Sequence, residues 1–184
     1  MGLRISIDLD DSDLKHFRLI MREARKAAAR LSPEDIVAAA QLLLRDVDVG
    51  RVPAFVGRRL EKLEVMIRML TDHEWRLPQK DTNRVLNALA YFTDPEDLIP
   101  DHVPGLGFLD DAIMIELVVR ELRHEIDAYR DFCAFRLSAD APRGVKAKST
   151  AMNRDRWLER RRQELQDRMR RRRSKDDDGT TKLL

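Results

Sequence analysis

The stretch Asp110–Leu137, DDAIMIELVVRELRHEIDAYRDFCAFRL, contains neither proline nor glycine, and from Ala112 to Val119 every residue except Glu116 is apolar. A helix that is hydrophobic nearly all round has to be covered on all sides. One long helix from Asp110 to about Leu137 is therefore expected at the centre of the core, with the other elements packed around it. Within it, Glu121 and His124 show the Glu-x-x-His spacing of di-iron bundles, which need a second such pair and two further glutamates. The chain supplies one pair, and His124 lies about 200° round the helix from both Leu122 and Ile126, so no di-iron centre is expected. Cys133 shares a helical face with Ile126 and Tyr129, has no evident base, and reads as packing rather than as a nucleophile.

Just before this helix, Tyr91 to Ala112 reads YFTDPEDLIPDHVPGLGFLDDA. Asp94 can cap a turn that opens with Pro95, with Asp97 placed at the turn's positive end. Pro100 ends that turn. Ile99 and Val103 each precede a proline and are pushed toward extended geometry, so Leu98, Ile99 and Val103 are expected to point inward as pins. Gly105 and Gly107 permit close backbone approach before Leu106, Phe108 and Leu109 return to the core. Asp110 and Asp111 then open the long helix.

With these residues the chain closely resembles the YkvA-like family, a domain of unknown function (1232). The family's signature is an aromatic pair, Asp/Pro-x-Asp-Leu-Ile-Pro-Asp, a Pro/Gly-rich turn and Gly-Tyr/Phe-Leu-Asp-Asp-Ala. Here it is carried by Tyr91, Phe92, Pro95, Asp97, Leu98, Ile99, Pro100, Asp101, Pro104, Gly107, Phe108, Leu109, Asp110, Asp111 and Ala112. The resemblance covers Arg84 to Phe132. It implies a helical hairpin around the loop and assigns no catalytic residue. Some relatives look membrane-associated, and some RING-type ubiquitin ligases carry a similar segment, which implies an accessory role. Acids at Asp94, Glu96, Asp97, Asp101, Asp110 and Asp111 are each costly in hydrocarbon and argue against burying this loop in a bilayer.

Four more helices are expected upstream. A helix capped by Asp81 or Thr82 carries Val85, Leu86, Leu89, Ala90 and Phe92. One opened by Pro53 carries Val56, Leu60, Leu63, Ile67 and Leu70. Ser32, Pro33 and Asp35 read as N-cap, first helical residue and capping-box acid of a helix burying Ile36, Ala40, Leu43, Leu44 and Val47. The first helix follows candidate caps Asp10, Asp11 and Ser12, and carries Leu14, Phe17, Met21, Ala24, Ala28 and Leu31. Its period matches that of the helix opened by Pro53, so the two are expected to pack side by side. Before it, Leu3, Ile5, Ile7 and Leu9 alternate with polar residues as in a strand buried on one face. That strand would pair with Glu74 to Leu77 or with its own copy in a homodimer.

Downstream, residues 139–150, with Pro142 and Gly144, read as a linker between a helical domain (1–138) and a basic amphipathic helix (151–175); 176–184 reads as a disordered tail. From Ala151 to Lys175 there are ten arginines and one lysine against four acids, a charge of +7, which leaves −5 for the rest of a 184-residue chain of net charge +2. Leu158, Leu165 and Met169 form a narrow apolar stripe flanked by Trp157, Arg160, Arg161, Arg162, Arg168, Arg170, Arg171, Arg172 and Arg173. A like-charge run repels itself unless something neutralises it, so these residues are expected to face an anionic surface, either a membrane or a nucleic acid. Cutting the chain at Pro142 should then leave a folded body.

Composition excludes more than it assigns. Charged residues make up 37% of the chain, no apolar run approaches the roughly 18 residues of a span, and there is a single cysteine. A cytoplasmic location, peripheral to a membrane at most, is expected. Met1, Gly2 and Ser6 fit a myristoylation pattern, but a strand explains that segment better. The fold class is thus all-α, a five-helix bundle-like domain with an N-terminal strand and a basic C-terminal helix. The function expected is that of a non-catalytic adaptor, with an unknown protein partner for the body and no cofactor. The alternative is a metal-dependent hydrolase, in which Asp97, Asp101, Asp110 and Asp111 converge on Mg²⁺ or Ca²⁺ and His102 serves as acid or base. Helix capping competes with that alternative, and no spacing here matches a calcium loop.

Overall fold

A computed structural model of the protein describes residues 8, 10–46, 54–93, 109–140 and 150–177. Among them all regular structure is helical: α1 (Asp11–Ala28), α2 (Pro33–Asp46), α3 (Ala54–Thr71), α4 (Gln79–Leu89) leading into a 3₁₀ turn (Ala90–Thr93), α5 (Leu109–Glu121), α6 (Arg123–Asp140) and α7 (Thr150–Asp177). The strand expected over Leu3 to Leu9, and with it the homodimer it would mediate, lies outside the described residues apart from an exposed Asp8 in no regular element. Its other expected partner, Glu74 to Leu77, is a turn and irregular chain rather than a strand.

Local chemistry sets the helix starts. Asp10 caps α1, accepting from the backbone N–H of Ser12 (2.7 Å) and Asp13 (2.9 Å), and Asp13 accepts in return from Asp10 N–H (3.0 Å). Ser32 and Asp35 make the same reciprocal box at α2, with Asp35 N–H donating to Ser32 Oγ (3.1 Å) and Ser32 N–H to Asp35 Oδ2 (3.2 Å). Such a cap contributes about 1 kcal/mol. Helix α4 departs from expectation. It starts at Gln79, with the Pro78 carbonyl accepting from Asp81 N–H and Thr82 N–H (both 2.8 Å). Asp81 is not a cap because its carboxylate is drawn inward to an arginine of α7.

The expected central helix is divided at Leu122 into α5 and α6. The i to i−4 ladder still crosses the junction, Leu122 N–H to Val118 O and Ile126 N–H to Leu122 O, both 2.9 Å. Neither proline nor glycine marks the break; it coincides with the turn where Glu121 and Glu125 reach arginines on three other helices. Met114, Ile115, Val118 and Leu122 are fully buried, and α3, which packs against α5, buries Leu60, Leu63 and Met66. Helix α1 does not pair principally with α3; it packs against the Ala90–Thr93 turn and α4.

The largest departure concerns the C-terminal helix. Of the expected linker 139–150, positions 139 and 140 belong to the end of α6, Thr150 opens α7, and 141–149 lie outside the described residues. Helix α7 itself lies along α6, and Leu158, Leu165 and Met169 are buried in the common core. A fully buried side chain of this size contributes about 1.5–3 kcal/mol, so excising α7 would open the core. A cut at Pro142 is thus no longer expected to spare the fold. Of the tail expected to be disordered, Asp176 and Asp177 belong to α7, and 178–184 lie outside the described residues.

Candidate functional site

Helix α7 divides its arginines between two faces. The inward face meets the segment between α3 and α4, where the chain turns sharply after Thr71. Asp72 builds that turn: its Oδ1 accepts from Glu74 N–H (2.9 Å) and Trp75 N–H (3.1 Å), which drives the Trp75 ring into the core against Tyr129 (5.8 Å between centroids) and Phe132 (5.2 Å). Arg76 follows at φ 47°, a left-handed conformation that costs a non-glycine residue of order 1 kcal/mol. Gln166 of α7 clamps it, its amide donating to the carbonyls of Trp75 (3.0 Å) and Arg76 (3.3 Å), while Arg162 donates to Glu74 O (3.0 Å).

Ion pairs lock the same corner. Arg136 of α6 donates to Asp72 Oδ2 (2.8 Å) and Glu74 Oε2 (3.0 Å), Tyr129 OH donates to Asp72 Oδ2 (3.0 Å), and Arg154 of α7 donates to Glu74 Oε1 (2.8 Å). Burial pushes the Asp72 carboxyl up, but hydrogen bonds from Arg136, two backbone amides and Tyr129 outweigh it and hold it below the ordinary aspartate value. The hydrogen bond from Arg154 likewise holds Glu74 down, against a smaller effect of burial. Burial, with hydrogen bonds to Cys133 and Asp72, pushes the Tyr129 phenol well up.

A second lock lies further along α7. Arg173, with 12% of its side chain exposed, donates through Nη1 to Asp81 Oδ1 (2.7 Å) and to Glu125 Oε1, where Asp81 and Glu125 are 1% and 0% exposed. Arg84 also reaches Glu125 Oε1 (3.2 Å), and Arg84 and Arg25 flank the two oxygens of Glu121 at 3.8 Å. Burial opposes the charge on Arg173, but its two carboxylate partners win and raise its pKa. At the edges, Arg168 pairs with Asp131, and Asp176 pairs with Arg123 and His124. The acids of the −5 body are thus the first neutralising partners of the +7 helix.

The sequence-derived anion-binding set separates accordingly. Arg162 and Arg173 face inward and are bound to the body. Arg161, Arg168 and Arg170 are partly or largely exposed and paired with Glu164, Asp131 and Asp167. Arg160, Arg171 and Arg172 are exposed and make no ion pair among the described residues, and Trp157 is 47% exposed. Arg156, one turn before Arg160, belongs with them and was not in the set drawn from the sequence. What the sequence reading missed outright is the receiving side: Asp72, Glu74, Trp75, Asp81 and Glu125. The available signal was the charge imbalance between body and helix.

Asp94, Pro95, Asp97, Leu98, Ile99, Pro100, Asp101, His102, Pro104, Gly105 and Gly107 lie outside the described residues; Asp110 and Asp111 fall in the first turn of α5, and their side chains also lie outside them. Among the described residues no group of three His, Cys, Asp or Glu side chains is placed to hold a metal ion. Glu121 and His124 are engaged separately, the first by arginines and the second by Asp176. Cys133 is half-buried, its sulfur 3.7 Å from Arg136 Nη2.

Fold and site together define an all-helical protein whose strongly basic last helix is built into its core, and among the described residues no helix is long and apolar enough to cross a membrane. Residues 84–117, from α4 through the 3₁₀ turn into α5, match the family model described as "Protein of unknown function (DUF1232)". The chain is 32% identical over 76 residues to the "Uncharacterized membrane protein YkvA" of Bacillus subtilis (strain 168), an alignment covering 38% of this chain and 70% of that relative. No solved structure matches. The chain belongs to the YkvA-like family of DUF1232 proteins.

Proposed function

We propose that this protein is a non-catalytic interaction protein that attaches peripherally to an anionic membrane face through the outward side of α7, leaving its acidic helical body for a protein partner. The observation that carries this reading is a group of cations left over after the internal pairing, among them Arg156, Arg160, Arg171 and Arg172, which are exposed with no ion pair among the described residues. They extend over roughly 24 Å of helix at 1.5 Å per residue. Each basic residue near an anionic bilayer contributes about 1 kcal/mol, so four together contribute about 4 kcal/mol. The half-exposed Trp157 adds an amphipathic ring of the kind that settles at the headgroup level. The name of the Bacillus subtilis relative as a membrane protein supports the same direction, and peripheral attachment requires no spanning helix. A cytoplasmic location is part of this proposal.

Cosedimentation of the full chain with vesicles tests it. Binding is expected to vesicles containing phosphatidylglycerol, to be absent from pure phosphatidylcholine, and to be lost in the variant Arg156→Glu/Arg160→Glu/Arg171→Glu/Arg172→Glu. Unchanged binding by that variant rejects the reading. Preferential binding to duplex DNA, with a log–log salt slope near −0.9 per phosphate neutralised, would reassign the same cations to nucleic acid.

A further inference from the structure

Ser174 is the only serine of α7. It follows Arg156 by 18 residues, five turns at 3.6 residues per turn, so it stands on the same line of the helix as the first of the outward cations. Its side chain is exposed and makes no hydrogen bond among the described residues. Arg170 to Arg173 precede it without interruption, and Lys175 follows. The fold gains nothing from a serine here, since alanine, lysine, glutamine and arginine all favour an exposed helical position more.

A phosphate on this hydroxyl would be answered at once by cations. Arg170 and Arg171 precede it by four and three residues, the spacings at which helical side chains meet. Arg170 shares its charge with Asp167 (3.2 Å), and Arg171 has no ion pair among the described residues. A phosphoserine carries about −1.5 to −2 at neutral pH, so it would cancel about half the charge of Arg156, Arg160, Arg171 and Arg172 together. The same upstream arginines suit recognition by an acidic groove, through the guanidinium–carboxylate pairing that α7 already uses against the body.

We propose that Ser174 is a phosphate acceptor for a serine kinase that reads arginines before its target, and that its phosphorylation releases α7 from an anionic membrane. The second half rests on the membrane reading of α7. In the transfer, Ser174 Oγ attacks the γ-phosphorus of ATP. A bond from Oγ to phosphorus forms, the bond from that phosphorus to the β–γ bridging oxygen breaks, the hydroxyl proton passes to a base of the kinase, and ADP leaves. The acceptor lies three residues before the end of α7 at Asp177, where a helix frays first. Arg173 and Asp176 tie that turn to the body through Asp81, Glu125, Arg123 and His124, so a kinase that takes an extended acceptor works against these pairs.

The experiment treats the full chain with MgATP and the catalytic subunit of cyclic-AMP-dependent protein kinase, an arginine-directed enzyme. Peptide mass spectrometry maps the phosphate, and cosedimentation with vesicles containing phosphatidylglycerol is measured before and after. Phosphate at Ser174 is expected, with an about 10- to 30-fold loss of partitioning, the factor for removing 1.5 to two cations' worth of charge from an anionic surface. Ser174→Ala should bind vesicles like the unaltered chain and keep that binding after kinase treatment. Ser174→Glu, which adds a single negative charge, should lose about five-fold without any kinase. No phosphate at Ser174, equal incorporation into Ser174→Ala, or vesicle binding unchanged by the phosphate would each overturn the inference. An unmodified chain that ignores anionic vesicles defeats the α7 surface and the release with it; one that binds them equally with and without the phosphate defeats the release alone.

Discussion

The two faces of α7 use the same side chain for opposite purposes. Arg173, on the inner face, is nearly enclosed and bridges Asp81 and Glu125, two buried carboxylates whose charge would be costly to leave uncompensated in the core. Arg171, two residues earlier, is exposed and has no ion pair among the described residues. The inner arginines neutralise acids of this chain, while Arg156, Arg160, Arg171 and Arg172 on the outer side make no ion pair among the described residues. A charge count over the helix treats them alike; only their surroundings separate a structural cation from an available one.

Substitutions on the inner face should break this contrast most visibly. Arg173→Met would leave Asp81 and Glu125 buried without their shared cation, and a loss of about 3–5 kcal/mol is expected from urea unfolding. A loss below about 1 kcal/mol would mean that the inner face is not structural. Adding Asp81→Asn and Glu125→Gln to the same variant should recover part of the loss, a coupling that a double-mutant cycle would measure. Leu165→Ala, which truncates a fully buried side chain, is expected to cost about 2–5 kcal/mol through lost burial and the cavity left behind. Gln166→Ala strands the Trp75 and Arg76 carbonyls and should cost about 1–3 kcal/mol, seen as a lowered melting temperature.

Acid sharpens the comparison from the other partner. Asp72 and Glu74 have folded pKa values below their ordinary values of 3.8 and 4.5, so each contributes stability that is fully present above those values. That contribution fades as pH falls through the lower folded values. Denaturation monitored between neutral pH and pH 2 should show this acid limb, and Arg136→Met should flatten it. The smallest effect on stability belongs to the outer face. Arg160→Glu or Arg171→Glu alone should move stability by no more than about 0.5 kcal/mol, as for most surface substitutions. A large destabilisation there would show that these arginines also serve the fold.

The helices of the core were legible because their causes are local. Ser32 and Asp35 bond to each other's backbone across one turn, and the apolar run from Ala112 to Val119 buries Ala112, Met114, Ile115, Leu117 and Val118. The family-motif residues were legible by type and spacing alone. Trp75 was not, because it lies in a short turn with no periodicity, and its burial follows from Asp72 bonding two backbone amides and from rings supplied by α6. Nor was the start of α4, where Asp81 leaves the cap for an arginine 92 residues away.

From the chain alone came the all-helical class, the family, most helix positions and the separation of charge between body and last helix. Which arginines of that helix meet acids was settled only by folding. Helical periodicity and caps are interactions over three or four residues and are written locally, whereas an ion pair between Asp81 and Arg173 exists only once α4, α6 and α7 have been brought together by the apolar surface they share.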